Sequence, residues 1–196
     1  MKAYCFSAGN NRLNDGRKIK VGTTHKVGGV LVPRRNGIHA SKHVADALVY
    51  SQGPELWRVE LGGEVVRFGD NMCAREATYL ANFNASKLLE AYMITCARDV
   101  AHLWDAPDII TEYFESGDES LRQVACDEAK AIAMSGFGAR AIKAVCDSWY
   151  GGAGGDIVMA IVAARSVGKS ADWGEIRKKQ RRRLARMVND EFKRLS

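Results

Sequence analysis

The stretch from Cys96 to Ala129, CARDVAHLWDAPDIITEYFESGDESLRQVACDEA, decides the fold class, because it strings helical faces between sharp stops and holds no reaction centre. From Ala85 onward the apolar period is that of a helix: Leu89, Met93, Cys96, Val100 and Leu103 follow i, i+4, i+7 spacing, the stripe of a helix with one buried face. Asp105-Ala106-Pro107-Asp108 then stops one helix and starts another, with proline suited to the first turn and acids to the N-terminus. Gly117 supplies an end, and Asp118 a cap for a further helix carrying Leu121, Val124, Ala125 and Ile132. The stretch encodes helix, turn, helix, turn, helix. It is the hinge between these helices and what precedes them.

Upstream the period is two. Ala3 to Phe6 opens as a strand, Lys18 to Val21 alternates, and Val30 to Val32 leads through Pro33 into an Asn36-Gly37 turn. Ile38 to Ser41 is a brief strand, with Ser41 capping a short helix whose Val44, Ala47 and Leu48 share a face. Leu56 to Leu61 alternates strongly, Gly62-Gly63 reads as a hairpin turn, and Glu64 to Phe68 returns.

Downstream, Ser135 to Gly138 breaks the chain, and Ile142, Val145, Cys146 and Trp149 make another apolar face. Gly151 to Gly155 is a flexible joint rather than a phosphate loop, because the segment before it is helical and such a loop follows a strand. Ile157 to Val167 is a nearly all-apolar helix, and Asp172 caps a last helix reaching Leu195. Ala97-Arg98, Ala139-Arg140 and Ala164-Arg165, each followed by a tryptophan (Trp104, Trp149, Trp173), suggest degenerate helical repeats. The fold class is therefore α+β, with a small antiparallel β-rich domain over 1–83 and a helical domain over 84–196 ending in a basic helix.

With 46% hydrophobic residues and only three prolines, the composition of this 196-residue chain is that of an ordered protein with a real core. No apolar run approaches the roughly 20 residues of a membrane span, and MKAYCFSAGNN has no secretory pattern, so a cytoplasmic location in a bacterial host and no membrane partner are expected. Five scattered cysteines include no CxxC pair, and His25, His39, His43 and His102 show no HxxxH with a helical acid, so buried thiols are expected and neither metal nor cofactor. The net charge of +6 divides into +5 over 1–83, −5 over 84–174 and +6 over 175–196. Basic residues at the two ends, Arg34 and Arg35 together with Arg177, Lys178, Lys179, Arg181, Arg182, Arg183 and Arg186, are the candidate contacts for a partner or for nucleic acid. Ile176, Leu184, Met187, Val188, Phe192 and Leu195 compete with that reading, since they suggest that the same helix packs one stripe inward.

Gly37-Ile-His-Ala40, Leu56 to Val65 and Gly69-Asp70 resemble a small N-terminal domain of unknown activity found in phage and bacterial proteins. CARDVAHLWDAP and SGDESLRQVA resemble the Ala- and Trp-rich helical region that often follows it and is reminiscent of immunity proteins of polymorphic toxins, although the long Ala-Trp runs of such proteins are missing. The resemblance implies a phage-type accessory protein that binds a host or phage macromolecular complex without catalysis, and that inhibits a host defence component in an anti-CRISPR-like or immunity-like way. Homo-oligomers also fit. The enzymatic alternative is that Gly37 to Ser41, the helix with Ala47 and Tyr50, and the strand Leu56 to Leu61 look like the element order of ADP-ribosyltransferases that use NAD. In that reading His39 holds the ribose, Tyr50 stacks on nicotinamide, and Glu60 or Glu64 stabilises the oxocarbenium charge. Against it, His39 is a strand-end residue, Tyr50 a helix anchor and Glu60 a solvated hairpin residue.

Overall fold

A computed structural model describes residues 1–7, 10–13, 16–51, 53–101, 107–121, 123–125, 128 and 173–195. It has the expected mixed α+β class, with an antiparallel sheet in the N-terminal half and helices beyond it. The chain forms two compact units, Met1–Ser86 with Leu184–Ser196, and Lys87–Arg183. The sequence reading assigns all of 84–196 to one domain, whereas the last residues group with the strands.

In the first unit, β1 (Lys2–Ser7), β2 (Thr24–Lys26), β3 (Ile38–Ala40), α1 (Val44–Leu48), β4 (Glu55–Phe68) and β5 (Asn71–Asn84) follow in order. The sheet runs β1-β4-β5-β2, and β3 also pairs with β5. β2 takes Glu76 to Thr78 and β3 takes Met72 to Ala74 of the same strand, so two short strands share the β5 edge that β4 leaves open. A reciprocal backbone pair between Tyr4 and Ser41 ties the end of β3 to β1, so the sheet curls back on itself.

Gly62-Gly63 is not the hairpin turn. β4 runs straight through it, and the chain reverses at Gly69-Asp70, between the paired Phe68 and Asn71. Gly69 has φ 56°, which suits the first position of a two-residue hairpin loop. Between Gly62 and Val65 the register slips by one, the signature of a β-bulge, with Gly63 at φ 65°. A Cβ on Gly63 would lie 2.9 Å from that of Arg75, whose side chain occupies the space and reaches Glu64 at 2.8 Å. The glycine pair thus serves a bulge, and the whole of β5 continues a ladder that the sequence reading ended at Phe68.

Leu56 and Trp57 are adjacent and both buried, which a strand manages only when both its faces are covered. Trp57, Val59 and Leu61 join Ala3, Ile19, Ile38, Ala40, Met72, Ala74, Ala77 and Tyr79 in one core, with Trp57 edge-on to Tyr79 and its indole N–H donating to Ser7. On the other face, the end of the C-terminal helix α4 (Trp173–Arg194) buries Leu184, Val188 and Phe192 at i, i+4, i+8 spacing. Phe192 meets Phe83 edge-on at 4.9 Å, the Arg58 guanidinium lies 4.2 Å over its ring, and Asn189 Oδ1 accepts from Arg58 and from the Tyr4 hydroxyl. Leu195, expected in that stripe, is exposed.

Other short-strand expectations fail for a visible reason. Lys18 to Val21 makes only an isolated bridge at Lys18, and Val30 to Val32 only the Val32–Asn36 bridge. Each segment buries one residue, Ile19 or Leu31, but Val21 and Val30 point to solvent and Gly22 and Gly29 adopt positive φ beside them, which ends the extended run before a ladder can form. The actual strand is Thr24–Lys26. Ser41 does not cap α1, whose N-cap is His43 with no side-chain bond.

In the second unit, α2 (Ser86–Ala101) begins where Asn84 Oδ1 accepts the Ser86 N–H, and it buries Leu89, Tyr92 and Cys96. Pro107 precedes α3 (Asp108–Ser116), which buries Ile110, Tyr113 and Phe114 and ends at Gly117 in the left-handed region, as expected. Asp118 Oδ1 accepts the Ser120 N–H, and that bond holds its carboxyl below the ordinary value. Val124, placed on a buried face by its spacing, is exposed. Asp99 gathers the start of α4: Arg183 donates twice to it, at 2.7 and 3.3 Å, and Lys179 once at 3.2 Å. The helix continuing to Ile132, the Ile142 to Trp149 face, the glycine joint, the Ile157 to Val167 helix, the Asp172 cap, His102, Cys126, Cys146, and Trp104 and Trp149 of the repeat lie outside the described residues.

Two measurements check this packing. Gly37 has φ 141° and a methyl there would overlap Cys73 Sγ, so Gly37→Ala is expected to lower unfolding free energy by about 3 kcal/mol, against about 1 kcal/mol for Gly69→Ala, where space is open. Equal losses in urea titrations would contradict the close approach at Gly37. Asp99→Ala should cost about 1–3 kcal/mol, since it strands a largely buried guanidinium. Arg183→Ala added to it should cost little more, and full additivity would show the pair to be uncoupled.

Candidate functional site

A cleft of about 460 Å³ opens in the first unit between β1, the loop carrying Arg12 and Arg17, the Arg34-Arg35 turn, β3 and α1. That volume lies in the range of small-molecule pockets. Its apolar lining, including Leu13, Ile19, Val27, Ile38 and Tyr79, continues the sheet's core outward. Its polar lining is one-sided in charge: Arg12, Arg17, Arg34 and Arg35 with Asn36, Ser41, Tyr50 and Asn71, and no carboxylate among the described residues.

The turn that carries Arg34 and Arg35 is built stiffly. Val32 and Asn36 exchange backbone hydrogen bonds, the Asn36 amide donates to the carbonyls of Gly28 and Val30, and the Cys73 thiol donates to the Asn36 carbonyl. Arg34 sits at φ 65°, a left-handed conformation that costs a side-chain-bearing residue roughly 1 kcal/mol. Its N–H donates at 2.9 Å to His39 Nε2. The backbone N–H groups of Arg34, Arg35 and Asn36 are thus all engaged, while the guanidiniums of Arg34 and Arg35 bond to no described residue. Arg12 and Arg17 are anchored differently, through donation to the carbonyls of Gly16 and Lys26.

His39 is a brace rather than a free ligand. With Nε2 accepting from Arg34, the proton belongs on Nδ1, toward the Gly37 backbone, and the ring lies edge-on to Phe68 at 6.0 Å. Burial holds its pKa below the ordinary value, against the opposing pull of the Gly37 bond. Cys5, also in the lining, is pushed up to about 12 by burial, so it is a neutral thiol and no nucleophile at neutral pH. Ser41 Oγ is buried with no hydrogen-bond partner among the described residues.

Of the residues expected to serve ADP-ribosyl transfer, His39 and Tyr50 both line the cleft. Glu60 and Glu64 do not: Glu60 lies exposed near the N-terminal ammonium, and Glu64 is paired to Arg75. Of the residues expected to hold a partner, Arg34 and Arg35 line the cleft. On α4, Lys178 pairs with Glu175, Lys179 and Arg183 with Asp99, and Arg181 is half-buried and engaged. Arg182 and Arg186 are exposed and bond to no described residue, while the side chain of Arg177 lies outside the described residues. Arg12, Arg17 and Asn71 carry no signal in the sequence: the two arginines sit in a loop without periodicity, and Asn71 opens a strand whose pairing is not local.

No three His, Cys, Asp or Glu side chains among the described residues gather as a metal site, and Cys5, Cys73 and Cys96 are free thiols. No described helix is long and apolar enough to cross a membrane. These features define an α+β protein with a cationic, apolar-floored cleft in its sheet unit. No family model, curated protein or solved structure matches the chain.

The His39 brace has a pH signature. Because the folded state holds His39 below the ordinary imidazole value, its contribution to stability is fully present above about pH 6.5 and is lost as pH falls through that value toward the depressed one. The urea midpoint should therefore drop between about pH 7 and pH 5 more steeply in the wild type than in His39→Gln. Parallel curves would refute the brace.

Proposed function

We propose that this chain is a phage-type accessory protein that acts by non-catalytic binding to a phosphate-bearing macromolecular partner, a nucleic acid, through the cleft of its sheet unit. One observation carries the reading: four arginines line one apolar-floored cleft whose described lining includes no carboxylate. Guanidinium forks match phosphate oxygens bidentately, and an apolar floor accepts an unstacked base. The basic run on α4 is a weaker candidate, since Lys178, Lys179 and Arg183 already answer acids of the same chain. Interference with a host defence complex, the role implied by resemblance, then works by occupying the nucleic acid that such a complex needs.

The ADP-ribosyl alternative draws support from His39 and Tyr50 sharing the cleft. Among the described residues the cleft lacks the carboxylate that must face the oxocarbenium charge, since both expected glutamates are elsewhere.

Retention of a single-stranded oligonucleotide at low salt tests the proposal. Arg34→Glu/Arg35→Glu should weaken it by at least about tenfold and flatten its salt dependence, whereas Arg182→Ala/Arg186→Ala should cost less. Retention unchanged by the cleft variant, in a protein that still folds, would refute a cleft-based site.

A further inference from the structure

The cleft differs from a generic basic patch in having two chemically distinct parts. One is the pair of unspent guanidiniums at the Arg34-Arg35 turn. The other is an apolar lining beside Tyr50, an exposed aromatic ring with a π-face to offer. The turn also accepts backbone strain at Arg34 that glycine or asparagine would relieve. Four hydrogen bonds stiffen the turn around it, two from the Asn36 amide, one from the Cys73 thiol and one to the His39 ring. A stiff loop that keeps a strained arginine over a cleft is preorganised for an anion. Ser41, buried in the wall of the same cleft, has hydrogen-bonding capacity that no described residue uses.

We infer that the cleft is a mononucleotide pocket, in which Arg34 and Arg35 take the phosphate and the base lies against Tyr50 and the apolar floor. This rests on the nucleic-acid reading and sharpens it: the unit recognised is one unstacked nucleoside phosphate, not a length of duplex backbone. A volume of about 460 Å³ suits one nucleotide rather than a helix groove. The phosphate and the base each contribute, so neither half alone binds as well as the whole. The same chemistry is offered by a strand end, a flipped-out residue or a free nucleotide.

Calorimetric titration of the full chain with AMP, adenosine and inorganic phosphate separates these possibilities. AMP should bind at least about tenfold more tightly than either fragment. Arg35→Ala should lose at least about tenfold in AMP affinity, and Tyr50→Leu should weaken AMP while leaving phosphate unchanged. Arg34→Gly should lose AMP while melting at the same or a higher temperature, because glycine relieves the left-handed strain; a lower melting temperature would make Arg34 a structural brace and overturn its part. Phosphate binding as tightly as AMP would reduce the site to an anion hole and overturn the inference, as would equal affinity for adenosine. Saturating AMP should displace a bound oligonucleotide. An oligonucleotide held undisturbed overturns the pocket and leaves the nucleic-acid reading standing elsewhere, whereas AMP binding without oligonucleotide retention supports the pocket and overturns the macromolecular partner in favour of a free nucleotide.

Discussion

Everything in the sheet unit depends on one antiparallel ladder, β4 against β5, two strands of 14 residues each. Because side chains alternate strictly, a slip of one residue anywhere along such a ladder would turn every later core residue outward. Two register shifts, at Arg58/Val59 and at Gly62/Val65, break the strict pairing. Yet Trp57, Val59 and Leu61 on one strand and Met72, Ala74, Ala77 and Tyr79 on the other still reach the same core. The two shifts are opposite, one extra residue on β5 and then one on β4 at Gly63, so the ladder returns to its starting register. A bulge bends and twists its strand, and this sheet closes back from β3 to β1 through the Tyr4–Ser41 bridge.

A two-sided ladder also explains the character of the last helix. Leu56 and Phe83 lie on the face away from the Trp57 core and need a cover, and Leu184, Val188 and Phe192 form an apolar stripe on the end of α4. A helix of this composition has few apolar positions to give, so its other faces fill with charge. That charge is then partly reused. Asp99 draws in Arg183 and Lys179, and Glu175 pairs with Lys178. The basic run thus follows largely from the packing of a narrow apolar stripe, and it is a poor guide to where a partner binds.

What could be read in the sequence follows from how local each signal is. α2 and α3 were legible because periodic apolar residues, Pro107 and Gly117 act within one or two turns of the chain. The strand residues of β4 were legible too, but not the role of Gly62-Gly63, since a glycine pair serves a turn or a bulge equally well and the choice depends on Arg75, a residue on the other strand. β5 itself was missed because its buried positions include small residues, Ala74 and Ala77, whose weak hydrophobic signal becomes decisive only beneath Trp57 and Tyr79. The cleft was half legible. Arg34, Arg35, His39 and Tyr50 drew notice for their chemistry, but their convergence depends on Asn36, Cys73 and the Tyr4–Ser41 pair, contacts between residues far apart in sequence.

His39 shows how such convergence changes the meaning of a residue. Beside Tyr50 in a cleft, it invites a catalytic or ligand-holding role. Its Nε2 lone pair, however, is already occupied by the Arg34 N–H, and burial favours the neutral ring that can accept that bond. The imidazole therefore acts one step back from any ligand: it stabilises a backbone conformation that an arginine adopts at a cost. Strain of that kind persists only where the surroundings over-determine it, and here the surrounding contacts come from Asn36 and His39 in the turn and β3 and from Cys73 on β5. Stability alone would favour glycine at position 34. An arginine in its place is best explained by what its side chain does in the cleft, where its guanidinium has no partner within the described protein.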